Sequence, residues 1–155
     1  MESGLLLYCE VPKYIKDLRK KYDIHITLPA HITLCYLNNL YNENELIKKL
    51  ENNKSFTITF DEIIKKESII YLKPNNIKKI ETLANKIKNN IRKLPKSGFH
   101  LTLGYNNYNN VSISEIDLLK LNLPLTCNIN KIWLVKRNKN ISDKWYRSKT
   151  IYLEN

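Results

Sequence analysis

The chain has 155 residues, 43% hydrophobic and 26% charged residues and a formal net charge of +11, which is ordinary for a single globular domain (1–155) with a buried core. No apolar run approaches the ~18 residues of a membrane span, and the first residues lack the basic and long apolar regions of a signal peptide. Three scattered cysteines, Cys9, Cys35 and Cys127, show neither metal-ligand nor disulfide spacing. We therefore expect reduced thiols in a cytoplasmic protein.

The excess positive charge suits a polyanionic partner such as a nucleotide or RNA. The chain is also rich in Lys, Asn and Ile, which an AT-rich genome produces without selection for binding, and both interpretations stay open. No compact Lys/Arg block is present, so a dedicated nucleic-acid tail is not expected.

The residue pattern predicts alternating strands and helices without a linker. Alternating apolar residues indicate strands, Pro12 suits the first turn of a helix, and Asn42 is a suitable N-cap. In chain order we predict strand 4–11, helix 12–22, strand 30–37, helix 43–52, strands 55–64 and 68–72, a long helix that begins at 74–75 and buries one face over 77–91, strand 99–105, a short helix 114–121, and strands 126–137 and 146–153. This order predicts an α+β fold.

Two predicted strands contain nearly the same tetrapeptide, His31-Ile32-Thr33-Leu34 in one and His100-Leu101-Thr102-Leu103 in the other. Alternate residues of a strand share a face, so each strand presents one imidazole and one hydroxyl. Two histidines suit a reaction that removes one proton and supplies another near neutral pH. We therefore predict an acid–base enzyme built from two similar half-sites that meet at a cleft.

The same alternation carries the histidine face of each motif strand on to a small residue, Cys35 in the first and Gly104 in the second. We expect these residues to form the floor beneath a bound group. Tyr36 and Tyr105 fall on the opposite face in this scheme.

These paired motifs resemble the 2H phosphoesterase superfamily, the LigT-like group, over essentially the whole chain. The Pro29-Ala30 and Phe99 lead-ins and the closing strand 131–135, followed by an aromatic region, share this resemblance. The resemblance implies a bilobal fold of two antiparallel sheets with pseudo-twofold symmetry around a central cleft, with helices outside. It also implies metal-free cleavage or transfer at 2′-linked or 2′,3′-cyclic phosphodiesters. By carry-over, His31 and His100 are the acid–base pair, and Thr33 and Thr102 bind phosphate oxygens.

The chemistry can also be argued from the residues. A phosphodiester beside a free ribose hydroxyl carries its own nucleophile, and this proximity supplies roughly 7–11 kcal/mol of the barrier. Proton transfer by each histidine is typically worth about 10²–10⁴-fold, and threonine hydroxyls can donate to oxygens on which charge grows. The carboxylate cluster or third His or Cys ligand of a metal site is not evident near the motifs, so we expect no cofactor. Which histidine is the acid stays open.

Further residues are candidates for substrate binding. Arg137 replaces the small polar residue that the family has nearby, and could contact phosphate or lie on the surface. Tyr8 could stack a base or be an ordinary strand residue. Trp145 and Tyr146 could sandwich a base or form an edge cluster, whereas we assign Trp133 to the core.

Alternatives remain for the motifs themselves. His25-Ile26-Thr27-Leu28 is a third copy of the tetrapeptide, but it lacks the lead-in residue pattern and is separated from the strand by Pro29. His31 and His100 could also be structural histidines, although this leaves the shared threonines unexplained.

The small size of the chain favours a nucleotide or short oligonucleotide over a long RNA, and we expect a monomer without a protein partner or membrane. Standalone viral members that resemble this family remove antiviral second messengers, and the AT-rich composition suggests such a source. We therefore predict cleavage of a 2′–5′ linkage, with 2′,3′-cGAMP as the first choice and 2′,5′-oligoadenylate as the second. The alternatives are RNA-end processing at 2′,3′-cyclic phosphates, 2′–5′ ligase-like joining, and a non-catalytic RNA- or nucleotide-binding module.

Overall fold

The computed structural model describes residues 1–23, 27–105 and 113–155. Strands and helices alternate along these residues, largely as the pattern predicts. The strands are β1 (Glu2–Tyr8), β2 (His31–Leu37), β3 (Phe56–Lys66), β4 (Ile69–Pro74), β5 (Ile91–Lys93), β6 (Leu101–Tyr105), β7 (Leu125–Ile129), β8 (Lys131–Arg137) and β9 (Tyr146–Tyr152). The helices are α1 (Lys13–Tyr22), α2 (Glu43–Glu51), α3 (Lys78–Lys86) and α4 (Ile113–Leu121).

The strands form one curled antiparallel sheet in the order β7-β3-β4-β6-β2-β1-β8-β9, with β5 pairing with β2 beside this path. The sheet has two four-stranded halves, and they meet where β6 pairs with β2 through Ile32 and Leu101 alone. The predicted α+β fold is confirmed, and the two expected sheets are these halves, joined at the motif strands. Each half contains two neighbouring segments joined through a helix: β1-α1-β2 in one, and β4-α3-β6 in the other, where the short β5 lies between α3 and β6 in the chain.

Helices α1 and α3 cross between the halves. Helix α1 packs against β6, and α3 packs against β2, so each helix supports the motif strand of the other half. The apolar residues beneath them belong to one buried cluster that includes Ile15, Ile32, Ile80 and Leu101. No helix in the described ranges is long and apolar enough to cross a membrane.

Gly104 is a point of close approach between β6 and α1. A Cβ atom built on Gly104 would lie 2.5 Å from the Cβ of Tyr22 and 3.1 Å from its carbonyl oxygen. Both atoms belong to or adjoin the backbone, so the helix would have to move.

We expect Gly104→Ala to lower the free energy of unfolding by about 1–3 kcal/mol, the usual cost of overpacking a core. Denaturant unfolding monitored by circular dichroism measures this. Gly98→Ala is the contrasting variant, because Gly98 has open space for a Cβ but a φ of +74°. An unchanged unfolding midpoint for Gly104→Ala would contradict the close packing.

Two predicted elements differ from the structure. Helix α3 ends at Lys86, and a 3-10 turn over Lys88–Asn90 leads into β5. Asparagines favour turns, and Asn38 binds this one by donating to the Asn89 carbonyl from its side chain and to the Asn90 carbonyl from its backbone. The single predicted strand 126–137 is two strands that separate at Asn130, because β7 pairs with β3 and β8 with β1 at distant places in the sheet.

Candidate active site

The two His-x-Thr motifs meet at the joint between the sheet halves. Because Ile32 pairs with Leu101 in an antiparallel ladder, the register places His31 opposite Thr102 and Thr33 opposite His100. Directly opposed residues point to the same face of a sheet. The structure therefore brings the four motif side chains together around one pseudo-twofold centre, and all four line one cavity.

A β-bulge follows the threonine in each motif strand. Leu5 and Leu6 pair with Cys35 and Thr33, so that Leu34 has no partner in β1. Ile70 and Tyr71 pair with Gly104 and Thr102, which leaves out Leu103 in the same way. An extra residue shifts the alternation of all later side chains by one position.

The predicted cavity floor is wrong for this reason. Cys35 is fully buried in the core, and Gly104 faces Tyr22. Tyr36 and Tyr105 line the cavity instead. Sequence reasoning missed these tyrosines as site residues, although their equivalent positions in the two motifs were a visible signal.

The imidazoles are held in the same way. His31 Nδ1 lies 2.7 Å from the carbonyl oxygen of Pro29, and His100 Nδ1 lies 2.7 Å from that of Gly98. A carbonyl only accepts, so each Nδ1 carries the proton that it donates. This leaves Nε2 of both rings available for substrate, as acceptor when neutral and as donor when protonated.

The surroundings of the histidines are unequal. Burial lowers the pKa of His31 to about 4, against an opposing effect of the Pro29 carbonyl; Arg19 and Asp23 act on it in opposite directions, and His100 lowers it further. Burial also lowers the pKa of His100, opposed by the Gly98 carbonyl. Behind His31, Arg19 and Asp23 form a buried ion pair at 2.9 Å. His31 is thus strongly biased towards the neutral base.

This bias predicts acid sensitivity. The pKa of His31 is about 4 in the folded state against an ordinary value of 6.5 for histidine, so the unfolded chain binds the proton first as the pH falls. The stability that the neutral ring contributes is complete above pH 6.5 and is lost towards pH 4, on the order of 2–3 kcal/mol. We expect the free energy of unfolding of His31→Gln to vary less steeply across this window. Parallel slopes for the two proteins would contradict the shift.

The cavity has a volume of about 540 Å³ and a cationic wall, in the size range of small-molecule sites. Five basic residues line it against two acidic ones. The basic residues are Arg92, Lys93, Lys96, Arg137 and Lys139. The wall favours an anionic ligand.

Arg137 lies in this wall rather than on the outer surface. Its Nη2 donates to Glu2 at 2.6 Å, and its guanidinium carbon lies 4.6 Å from the ring centroid of Trp145. Its Nε is buried and has no hydrogen-bond partner among the described residues. A buried donor without a partner is costly, so this atom is a candidate donor to a ligand oxygen.

The aromatic candidates separate into two groups. Trp145 lines the cavity and contacts Tyr36, with ring centroids 6.2 Å apart. Tyr8 and Tyr146 do not line it. Tyr8 pairs with His31 on the same face of the sheet, but it donates to Glu10 and stacks on Trp133, whereas Tyr146 is half exposed at the start of β9.

Trp133 is half-buried and packs against the buried cluster of Leu6, Leu28 and Val135, at the edge of the core rather than within it. His25 and Ile26, the first half of the third tetrapeptide, lie outside the described residues. Across the described ranges, no group of three or more His, Cys, Asp or Glu could hold a metal ion.

The His100 ring also contacts the ring of Tyr71, and the two ring centroids lie 4.7 Å apart.

A family model described as the 2′-5′ RNA ligase superfamily matches residues 8–141, which include both motifs. The chain belongs to this superfamily. The expected 2H phosphoesterase membership is confirmed, and with it the classification as an enzyme of phosphodiester chemistry. No curated protein matches the chain.

Solved structures with the superfamily's fold cover nearly the whole chain. E. coli LigT complexed with NADP⁺ is 16% identical, with a TM-score of 0.60 and full coverage of both chains. LigT complexed with 3′-AMP is 16% identical, with a TM-score of 0.59 and coverage of 99% of this chain and 98% of that one. The protein TT0787 of Thermus thermophilus is 12% identical, with a TM-score of 0.61 and coverage of 100% and 99%. At these identities the likeness shows the fold alone.

Proposed function

We propose that the protein is a metal-independent phosphodiesterase that cleaves 2′–5′-linked nucleotides by acid–base catalysis with His31 and His100. The observation that carries this proposal is the paired geometry of the motifs: two imidazoles with free Nε2 atoms and two threonine hydroxyls around the Ile32–Leu101 pair.

The reaction needs only groups that the cavity contains. A 2′–5′ linkage leaves a 3′-hydroxyl beside the phosphorus, and its attack is effectively unimolecular. Neutral His31 takes the hydroxyl proton as the P–O bond forms, and protonated His100 gives a proton to the leaving 5′-oxygen. Thr33 and Thr102 donate to the non-bridging oxygens. The products are a 2′,3′-cyclic phosphate and a 5′-hydroxyl, and water opens the ring when the roles reverse.

The different environments of the histidines support this assignment of roles. His31 has a pKa of about 4 in the free protein, which suits a base. The hydrogen bond that holds the His100 ring is exposed, whereas that of the His31 ring is part-buried, and a bound phosphate anion beside His100 favours its protonated form. Arg137 and the lysines of the wall line the same cavity.

The cavity volume and its aromatic pair support a dinucleotide-sized ligand. The cavity volume of about 540 Å³ holds part of a dinucleotide. The rings of Tyr36 and Trp145 can stack on one of its bases. We propose 2′,3′-cGAMP first and 2′,5′-oligoadenylate second, with the removal of such messengers in the cytoplasm of an infected host as the role.

A digestion panel in EDTA tests this function. It contains 2′,3′-cGAMP, 3′,3′-cGAMP, 2′,5′-oligoadenylate and an RNA ending in a 2′,3′-cyclic phosphate, read by mass spectrometry with the wild type and His31→Ala/His100→Ala. We expect cleavage confined to 2′–5′ linkages and absent from the variant. Activity on the RNA end alone would move the protein to RNA processing, and no activity on any substrate would reject the enzyme proposal.

A further inference from the structure

Aromatic and cationic side chains continue the cavity face of the sheet beyond the cavity. Tyr8 and Trp133 stack, with ring centroids 5.5 Å apart and an interplanar angle of 18°. The Nζ of Lys131 lies 5.4 Å from the Tyr8 centroid, and the guanidinium carbon of Arg147 lies 4.6 Å from the Trp133 centroid. These four residues, which we call the Tyr8 strip, place a cation at each end of a pair of stacked rings.

The Tyr8 strip adjoins the cavity along strand β1. Gly4 and Leu6 of β1 line the cavity, and Tyr8 is the next residue on that face. Trp133 pairs with Leu6 across the β1–β8 ladder and packs against the small apolar cluster of Leu6, Leu28 and Val135. All three members of that cluster line the cavity, so the two surfaces are continuous.

The cations of the Tyr8 strip contact aromatic rings, and the Nζ of Lys131 also lies 5.9 Å from the ring centroid of Tyr152. Lys131 and Arg147 form no ion pair within the described part of the chain, whereas Arg137 and Lys139 share Glu2 in the cavity. The neighbouring carboxylate, Glu10, accepts from Tyr8 and pairs with Lys16 at 3.0 Å. Arg147 is exposed. Two cations without carboxylate partners beside a pair of aromatic rings match the phosphates of a single-stranded nucleic acid.

We propose that the Tyr8 strip binds the nucleotides of a linear oligonucleotide that lie beyond the reacting linkage. This inference rests on the proposed function for the place of that linkage, the cavity beside His31. A cyclic dinucleotide is too short to occupy both surfaces, so the ligand that uses them fully is a linear chain of three or more residues. Among the proposed substrates, 2′,5′-oligoadenylates of three or more residues then use both surfaces, whereas 2′,3′-cGAMP uses the cavity alone.

The test measures binding without turnover. Fluorescently labelled 2′,5′-linked oligoadenylates of two to five residues are titrated by anisotropy with the catalytically silent His31→Ala/His100→Ala protein. The same series is run after adding Lys131→Ala/Arg147→Ala. The matched control adds Lys20→Ala/Lys49→Ala, which removes the same charge from exposed positions on α1 and α2.

We expect affinity to rise about tenfold from the dimer to the tetramer in the parent and in the control, because the added phosphates reach Lys131 and Arg147. The rise is lost in Lys131→Ala/Arg147→Ala, and dimer binding stays the same. Loss of two phosphate contacts also reduces the slope of log K against log salt by about 1.4 for a single strand. Equal affinity at all lengths, no binding, or a length dependence that survives the substitution would overturn the proposal.

The two proposals fail separately. Length-dependent binding that needs Lys131 and Arg147, combined with a wild type that hydrolyses no substrate of the panel, would reject the phosphodiesterase and keep the Tyr8 strip. Hydrolysis of 2′–5′ linkages without length-dependent binding would keep the phosphodiesterase and reject the Tyr8 strip as a binding surface.

Discussion

Replacing His100 or His31 with alanine is expected to lower kcat on the 2′–5′ substrate by about 10²–10⁴-fold, the usual contribution of a positioned acid or base. Each imidazole is held by a 2.7 Å hydrogen bond from Nδ1 to a backbone carbonyl, so each Nε2 is already oriented for proton transfer. The measurement is single-turnover cleavage, which separates chemistry from product release.

The two variants should also differ in pH dependence. With His31 as the base, its pKa of about 4 in the free protein leaves it active down to acid pH, and the high-pH limb reports deprotonation of His100. His31→Ala should remove the low-pH limb and keep the high-pH one. Binding of a non-hydrolysable substrate analogue should stay within a few-fold of wild type in both. A variant that keeps wild-type turnover would show that its histidine is not catalytic.

The motif strands could be predicted from the sequence because local patterns encode them. Ile32 and Leu101 alternate with polar residues and are fully buried, and the His-x-Thr spacing alone places imidazole and hydroxyl on one face. Proline, asparagine and apolar spacing likewise predict α1 and α2 nearly to the residue. These features depend on neighbours within one or two turns of chain.

The bulges could not be predicted in this way. Leu34 and Leu103 resemble any buried strand residue, and they are unpaired only because of the registers that β2 and β6 adopt against β1 and β4. Those registers are properties of segments distant in sequence. Strict alternation therefore put Tyr36 and Tyr105 on the wrong face.

The cations of β5 were missed for a related reason. The spacing of Ile87 and Ile91 suits one helical face as well as it suits a helix end followed by a strand. Pairing of Ile91 with Leu37 and of Lys93 with Tyr36 decides between them, and it turns the chain so that Arg92 and Lys93 reach the cavity. Tertiary contact here overrides helical propensity.

After the histidines, the two motif threonines are expected to have the largest effect on kcat. We expect Thr33→Val and Thr102→Val each to lower kcat by about 10²–10³-fold, the range for loss of one donor to a developing oxyanion. Valine keeps the branched shape, so the fold should persist, and serine at the same position should recover much of the rate because it restores the hydroxyl. Equal losses in the serine and valine variants would assign the threonines to packing rather than to donation.

A double-mutant cycle shows whether the half-sites act as one. The register places Thr102 across from His31 and Thr33 across from His100, so each phosphate donor is nearer the histidine of the other motif. Groups that serve one transition state are non-additive. We therefore expect His31→Ala/Thr102→Val to be little worse than His31→Ala alone. Fully additive losses would mean that each motif works within its own strand, and the pseudo-twofold arrangement would then be a feature of the fold without a role in catalysis.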